Sequence, residues 1–236
     1  MSTSAEDSGA EQIDHRAEWG FVALSEHRWP ASVAVGVAIA LQVILPNRVI
    51  SGMGPRWLIP LLEAALATAL LIANPKRVSS EARHLRAAAI GLIVLINVAN
   101  VVSLGELIHA LLSHVSSPAT GRELVTASIP IWLTNVLVFG LWYWELDRGG
   151  PGARLGTGHR EPDFLFPQMT AIGATRGAWC PKFLDYLYTS FTNATAFSPT
   201  DTMPLTPWAK LLMMVQSFAS FLTVAIVISR AVNILQ

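Results

Sequence analysis

The chain has 236 residues, of which 52% are hydrophobic and only 14% are charged. These proportions lie far from those of an average soluble domain and predict an integral membrane protein. The 16 basic and 16 acidic side chains cancel, so the net charge gives no reason to expect a nucleic-acid partner. The single cysteine, Cys180, excludes an intrachain disulfide and a metal cluster built from cysteines.

The first 182 residues divide into a tail, four apolar segments and a loop. Residues 1–28 are hydrophilic and lack the apolar core of a signal peptide, so we expect a disordered or surface-lying tail. Residues 29–147 form a region of four predicted transmembrane helices, over residues 29–46, 56 or 57 to 73, 87–112 and 124–144. Residues 148–182 follow as a polar loop rich in glycine, proline and charge, and no part of it can span a bilayer.

Residues 183–236, which we call the pore module, have a different layout. The first apolar run, residues 183–197, is too short to cross a hydrocarbon core of about 30 Å as a helix. Prolines at 199, 204 and 207 interrupt any helix, and the apolar segment 208–235 is then long enough for a full span. Irregular backbone at membrane depth is tolerated only where protein buries it or where it lines a watery cavity. A half-span helix, a polar turn and a full-span helix therefore predict a re-entrant pore loop.

The pore module resembles that of potassium channels. In that family a pore helix ends in Thr and is followed by Thr-Val-Gly-Tyr-Gly-Asp and a Pro-x-Thr entry to the inner helix. Similar residues fall here without gaps, namely Tyr188, Ser190, Thr195, Asp201, Pro204, Leu205 and Thr206. This resemblance covers about the last fifth of the chain. The whole layout also resembles a bacterial family of uncharacterised membrane proteins with a comparable Tyr-x-Ser-Phe-Thr run and Ser-Asp turn, which implies no known activity.

The potassium-channel resemblance implies an ion filter just before Asp201, where backbone carbonyls replace the hydration shell of the ion. That backbone needs glycines, since only glycine readily takes left-handed angles. This chain instead reads Ala196, Phe197, Ser198, Pro199 and Thr200. The family's filter geometry therefore cannot simply be copied. We expect a wider, less selective path lined by carbonyls and by the hydroxyls of Thr192, Thr195, Ser198 and Thr200.

Asp201 follows this segment and would form a ring of carboxylates at the pore mouth if four chains assemble. Such a ring attracts cations. The alternative interpretation is a polar re-entrant turn that seals a helix bundle and conducts nothing.

A stripe of residues on the last span is spaced 3-4-3-4-3, which holds one helical face toward a common axis. It consists of Met213, Gln216, Ser220, Thr223, Val227 and Arg230. Polar residues in a span usually face the bundle interior or water, so the stripe suits a pore-lining inner helix. The alternative is that Gln216 and Ser220 form hydrogen bonds that join helices.

Three ionisable residues lie within the predicted spans. Glu63 is inside the second span, and Glu106 and His109 are near one end of the third. Ionisable groups at membrane depth are costly, which favours a functional role. Glu106 and His109 are three residues apart on one helical face, so they can form an ion pair, or they can serve in proton transfer or gating.

The distribution of Lys and Arg predicts the orientation. With the N-terminus in the cytoplasm, the cytoplasmic side holds a larger number of basic residues, from Arg16 and Arg28 through Lys76, Arg77, Arg83 and Arg86 to Arg148, Arg154, Arg160, Arg176 and Lys182. The other side keeps Arg48, Arg56, Arg122 and Arg230, with Lys210 near the start of the last span. The positive-inside rule therefore favours a cytoplasmic N-terminus and a pore loop that enters from the cytoplasm.

Together these patterns predict an all-α integral membrane protein with five transmembrane helices and a re-entrant pore helix and loop before the last helix. We expect a homotetrameric channel for monovalent cations, K⁺ or Na⁺, in the plasma membrane. The alternative is a transporter or a non-conducting membrane protein that keeps a channel-like fold. No paired nucleophile and base, phosphate-binding glycine loop or metal-ligand spacing is present in the sequence, so we expect neither an enzyme nor a cofactor or metal.

Overall fold

The structure is a computed structural model that describes residues 27–45, 57–73, 83–112, 121–154, 160–170, 179–195 and 201–234. Most of these residues are helical. The helices are α1 (Trp29–Ile44), α2 (Leu58–Ala73), α3 (Arg83–Leu112), α4 (Gly121–Leu146), α5 (Pro151–Arg154), α6 (Pro167–Thr170), α7 (Phe183–Thr195) and α8 (Pro207–Ile234). A 3₁₀ turn covers Asp147–Gly149, and the strands β1 (Phe164–Leu165) and β2 (Met203–Pro204) pair antiparallel.

Three helices are long and apolar enough to cross a membrane, within His84–Leu111, Arg122–Gly149 and Pro207–Ser229. They correspond to the third, fourth and last predicted spans. α1 and α2 are apolar as well, but each has 16 residues, fewer than the roughly 20 that a full span needs. The prediction of a helical membrane protein is therefore confirmed, and three of the five predicted spans have the required length.

The helices α1 to α4 alternate in direction. At one end of the bundle, which we call the near end, Nε of Arg86 at the start of α3 lies 3.3 Å from Oε1 of Glu145 at the end of α4. Arg28, just before α1, and Leu71, in the last turn of α2, line the same cavity as Glu145. The near end therefore brings together the starts of α1 and α3 and the ends of α2 and α4.

The opposite end, which we call the far end, is held by a second apolar cluster. It combines residues from α3, α4 and α8 with the residue that follows α1, namely Leu45, Leu104, Leu107, Leu124, Ala127, Ile131 and Ile226. Because Leu107 is near the end of α3 and Leu124 near the start of α4, this cluster joins those two helices where the chain turns between them.

α4 ends in a turn of three residues with positive φ, the last of which must be glycine. Arg148, Gly149 and Gly150 have φ angles of 53°, 81° and 98°. A Cβ on Gly150 would lie 2.8 Å from the backbone oxygen of Glu145, too close for any other residue. The turn leads the chain back over the near end to α5.

Several predicted bounds differ from the observed ones by a few residues. α3 begins at Arg83 rather than residue 87, and α4 covers Gly121–Leu146 rather than residues 124–144. The helical backbone continues into the polar interface, where the Arg86 side chain finds Glu145. The pair of two-residue strands was not part of the all-helical prediction, because strand pairing between residues 164 and 204 depends on long-range contacts.

Candidate functional site

α7 begins at a local capping interaction. Oδ2 of Asp185 accepts a hydrogen bond of 2.8 Å from the backbone N–H of Lys182, which satisfies a donor that the helix start would leave unpaired. One face of α7, including Phe183, Tyr186 and Ser190, is buried. The opposite face, including Leu184, Tyr188 and Phe191, is exposed. α7 is thus an amphipathic helix about 20 Å long at a rise of about 1.5 Å per residue.

The buried face of α7 lies antiparallel along the second half of α4. As the residue number rises along α7, the number of the contacted residue on α4 falls. The ring of Phe183 contacts the ring of Trp144, and Leu187 packs against Gly140. Further along, the Ser190 hydroxyl donates to the carbonyl of Val136, and the Ala194 carbonyl accepts from the indole N–H of Trp132. Since α4 covers Gly121–Leu146, Trp132 lies near its middle. α7 therefore starts at the near end and reaches halfway along α4.

After α7 the chain returns to the near end. The hydroxyls of Thr189 and Thr202 lie 3.0 Å apart, and both residues are buried. β2 then pairs with β1, and the backbone N–H of Leu205 donates to the carbonyl of Asp163 at 2.9 Å. The intervening filter candidates, Ala196, Phe197, Ser198, Pro199 and Thr200, lie outside the described residues. Asp201, at the end of that segment, is exposed.

Gln216 on α8 is the centre of a buried hydrogen-bond network. Its Oε1 accepts from the hydroxyl of Tyr143 at 2.5 Å and from Nδ2 of Asn193 at 2.8 Å. Its Nε2 donates to the backbone oxygen of Ser190 at 2.8 Å and to the Ser190 hydroxyl at 2.7 Å. Gln216 thereby joins α8 to α4 and to the middle of α7.

Two further residues of the predicted stripe continue the same contact face toward the far end. Ser220 accepts a hydrogen bond of 2.8 Å from Nδ2 of Asn135 on α4, and Thr223 donates to the backbone oxygen of Ala219. Gln216, Ser220 and Thr223 are all buried against helices of the same chain. Met213 and Val227 are half-buried. This arrangement favours the interpretation that the stripe joins helices, while a pore-lining role for it stays a prediction.

A second polar cluster anchors the return of the chain at the near end. Asp147, which is buried, accepts from the Tyr186 hydroxyl at 2.5 Å and from the backbone N–H of Asp163 at 2.9 Å. Asp163 accepts from the indole N–H of Trp208 at 2.9 Å. Burial raises the pKa of the Tyr186 hydroxyl well above its ordinary value, so Tyr186 remains the donor. The cluster ties α4, α7 and the start of α8 together.

Arginines surround the same carboxylates. Nε of Arg148 lies 3.7 Å from Oδ2 of Asp147, and Nη1 of Arg154 donates to the backbone oxygens of Trp144 and Asp147 at 2.8 and 3.0 Å. The Arg154 guanidinium also lies over the ring of Tyr186, 5.3 Å from its centroid. These cations offset the buried negative charge.

The remaining predicted site residues are spread over the molecule. Thr192 and Thr195 are half-buried in α7, where their hydroxyls donate to backbone oxygens of the same helix. Glu106 is half-buried and His109 exposed on α3, so their pairing stays a prediction. Glu63 is fully buried on α2.

Sequence reasoning missed most of the partners that these residues contact. None of these partners, Tyr143, Asn193, Asn135 and Asp147, was among the predicted site residues. Each of these residues has a polar side chain within an apolar helix or at its end, and such a side chain needs a hydrogen-bond partner. This pattern could have identified them in the sequence. Which partner it finds depends on how the helices pack.

Comparison with known proteins adds no relative: the chain matches no family model, and no curated protein or solved structure is significantly similar to it.

Proposed function

We propose that the chain is a subunit of an oligomeric pore-loop channel for monovalent cations, in which α7 and the segment after it re-enter the membrane from the near end. The path of the chain supports this most directly. The end of α7 lies beside Trp132, in the middle of α4, and Thr202, seven residues after the end of α7, contacts Thr189 in the middle of α7. A helix that stops at half depth and returns needs a protein or water lining for the backbone of its turn.

The direction of α7 favours cations. The C-terminal end of a helix carries the equivalent of about half a negative charge, because its last carbonyls have no intrahelical partner. In α7 that end lies beside the middle of α4, where a permeating ion would have lost most of its water. The exposed carboxylate of Asp201 at the return adds negative charge on the entry side.

The proposal includes five spans. α1 and α2 carry no charged side chain except Glu63. α1 packs against α4, and α2 packs against α1 and α3. Each needs only a few more residues to reach the length of a full span, and the residues that follow α1 and precede α2 lie outside the described part of the chain. With five spans in each chain, assembly of four copies would bring the pore modules around a common axis.

A second candidate is a non-conducting membrane protein with the same fold. It is favoured by the burial and full hydrogen bonding of Gln216, which make α8 part of a closed helix cluster in the single chain. The two candidates differ in one measurable property, the passage of ions.

Flux of K⁺, Na⁺ and Cl⁻ through purified protein in liposomes tests the proposal. We expect passage of K⁺ or Na⁺ but not Cl⁻. Absence of flux for all three ions, from protein that is folded and inserted, would contradict the channel and favour the second candidate.

Replacement of Asp201 tests the proposed mouth. Asp201→Asn removes about one charge per subunit from a focused field, so we expect lower cation conductance at low salt. The loss should shrink near 1 M salt, where the Debye length falls to about 3 Å. Glu161→Gln is the matched control, since Glu161 is an exposed carboxylate at the same end of the bundle. Equal conductance of the two variants at low salt would place the permeation path elsewhere.

A further inference from the structure

Glu63 occupies an unusual position for a carboxylic acid. It lies between one and two turns into α2, and its exposed fraction is 0%. Its neighbours in sequence, Leu61 and Leu62, are more than half exposed. Since α2 packs against α1 and α3, Glu63 points into the group formed by these helices rather than toward lipid.

The carboxylate of Glu63 has no matched partner there. Neither of its oxygens makes a hydrogen bond to a described residue. Gln42, near the far end of α1, is the polar side chain beside it, and Nε2 of Gln42 is also buried without a hydrogen bond. Even a hydrogen bond from that amide would leave the carboxylate without a positive counter-charge.

No Lys, Arg or His among the described residues forms a hydrogen bond with the carboxylate of Glu63. α1 and α2, over their described residues, contain no Lys, Arg or His. On α3 the titratable and charged groups lie toward its two ends, with Arg83, His84 and Arg86 at the near end and Glu106 and His109 toward the far end. A buried ionised carboxylate is stable only if it is paired, and otherwise it takes up a proton.

Among the described residues, no group of three or more His, Cys, Asp or Glu side chains is placed to hold a metal ion. A proton neutralises a single buried carboxylate without needing any further ligand.

We propose that Glu63 is a proton-binding site in the interior of the α1–α3 group, separate from the pore module. In its protonated form Glu63 is both a donor and an acceptor, so it can pair with the carbonyl oxygen and the N–H of Gln42. The site does not depend on whether the pore module conducts.

The site can be tested with dicyclohexylcarbodiimide, an apolar reagent that modifies protonated carboxyl groups in apolar surroundings. The Glu63 proton moves to a nitrogen of the reagent, and the carboxyl oxygen bonds to its central carbon. The acyl group then transfers from that oxygen to nitrogen, which leaves a stable N-acylurea. In purified protein near neutral pH, we expect peptide mass spectrometry to find this adduct on Glu63 and not on the exposed residues Asp201 and Glu161.

Matched variants and conditions sharpen the test. Glu63→Gln should lose the adduct, whereas Glu106→Gln should keep it on Glu63. A water-soluble carbodiimide should modify the exposed carboxylates and leave Glu63 unmodified. Labelling of Glu63 should fall as the pH rises, because the unprotonated carboxylate does not start the reaction.

Three outcomes would overturn the proposal. One is an absence of adduct on Glu63 in the wild-type protein near pH 6, under conditions that label Glu106. Another is labelling of Glu63 by the water-soluble reagent, which would mean that the site is wet. The third is protection of Glu63 by Na⁺ at constant pH, which would mean that a metal cation and not a proton is the ligand.

Discussion

Gln216 uses every hydrogen-bonding position of its side chain. Its oxygen accepts from Tyr143 and Asn193, and its nitrogen donates twice to Ser190. Between helices in a membrane no bulk water can replace a lost partner, so an apolar residue at this position would leave several polar groups unsatisfied. The stability of the contact between α4, α7 and α8 should therefore depend on this one side chain.

We expect Gln216→Leu to lower the free energy of unfolding by about 2–7 kcal/mol, since four hydrogen bonds worth about 0.6–1.7 kcal/mol each are lost. Unfolding of the purified protein by denaturant in detergent micelles measures the change. Met214→Leu is the matched control, because Met214 is on the same helix but exposed. Its replacement should change the stability by less than about 0.5 kcal/mol. Equal stability of the two variants would contradict a structural role for the network.

At the scale of the element, contacts on two faces of α7 fix its position, one with α4 and one with α8. Its apolar and small residues follow α4 in antiparallel order, and its polar residues Ser190 and Asn193 bond to α8. A helix of 13 residues is too short to cross the bilayer, so in the proposed re-entrant arrangement the chain before α7 and the chain after its turn lie on the same side of the membrane. This is a statement about topology that labelling can check.

Single cysteines in a Cys180→Ser background distinguish a re-entrant α7 from a spanning one. We expect cysteines at Asp201 and Arg160, both exposed, to react with an impermeant thiol reagent from the same side of sealed vesicles. A cysteine at His109, toward the far end of α3, should react from the opposite side. If the cysteine at Asp201 reacts together with that at His109 instead, α7 crosses the membrane and the pore-loop proposal is wrong.

At the scale of the whole molecule, the outer faces of α7 and α8 form an apolar surface. It includes Leu184, Tyr188 and Phe191 on α7 and Leu211, Met214, Val215, Phe218, Phe221 and Ile228 on α8. In a channel built from several copies the pore modules surround the axis, so neighbouring copies should contact one another through this surface.

We expect Phe218→Cys, in a Cys180→Ser background, to form disulfide-linked species of more than one chain in membranes under mild oxidation. Val98→Cys is the matched control, since Val98 is similarly exposed but lies on α3, outside the pore module. The mass of the purified protein in detergent should correspond to four chains. A monomeric mass, with equal cross-linking of both variants, would leave no central path for one loop to line.

The distribution of basic residues between the two ends of the bundle predicts the orientation of the protein in the membrane. By their positions along the helices, the described basic residues of the near end are Arg28, Arg83, Arg86, Arg148, Arg154, Arg160, Lys182 and Lys210, whereas Arg122 and Arg230 belong to the far end. The positive-inside rule then predicts a cytoplasmic near end. Cys180, just before α7, should therefore stay unlabelled when an impermeant thiol reagent is applied to intact cells. Ready labelling from outside would reverse the orientation.

The sequence alone determined the class of the protein and the sites of its main helices. Apolar length predicts α3, α4 and α8, because a membrane helix satisfies its own backbone hydrogen bonds and needs no tertiary partner to form. The short run from residue 183 and the prolines after it likewise predict a half-span helix before a full one. These features are local, and a local pattern is what a sequence displays.

Only the tertiary structure decided where the polar side chains go. The spacing of Gln216, Ser220 and Thr223 predicts that they share one face of α8. That face could contact either the water of a pore or polar groups of a neighbouring helix, and the spacing does not distinguish between the two. The packing of α8 on α4 and α7 brings Tyr143, Asn135 and Ser190 to that face, across separations of 26 to 85 residues. Periodicity reports which side chains share a face, whereas the identity of the opposite surface follows from long-range packing that no single segment contains.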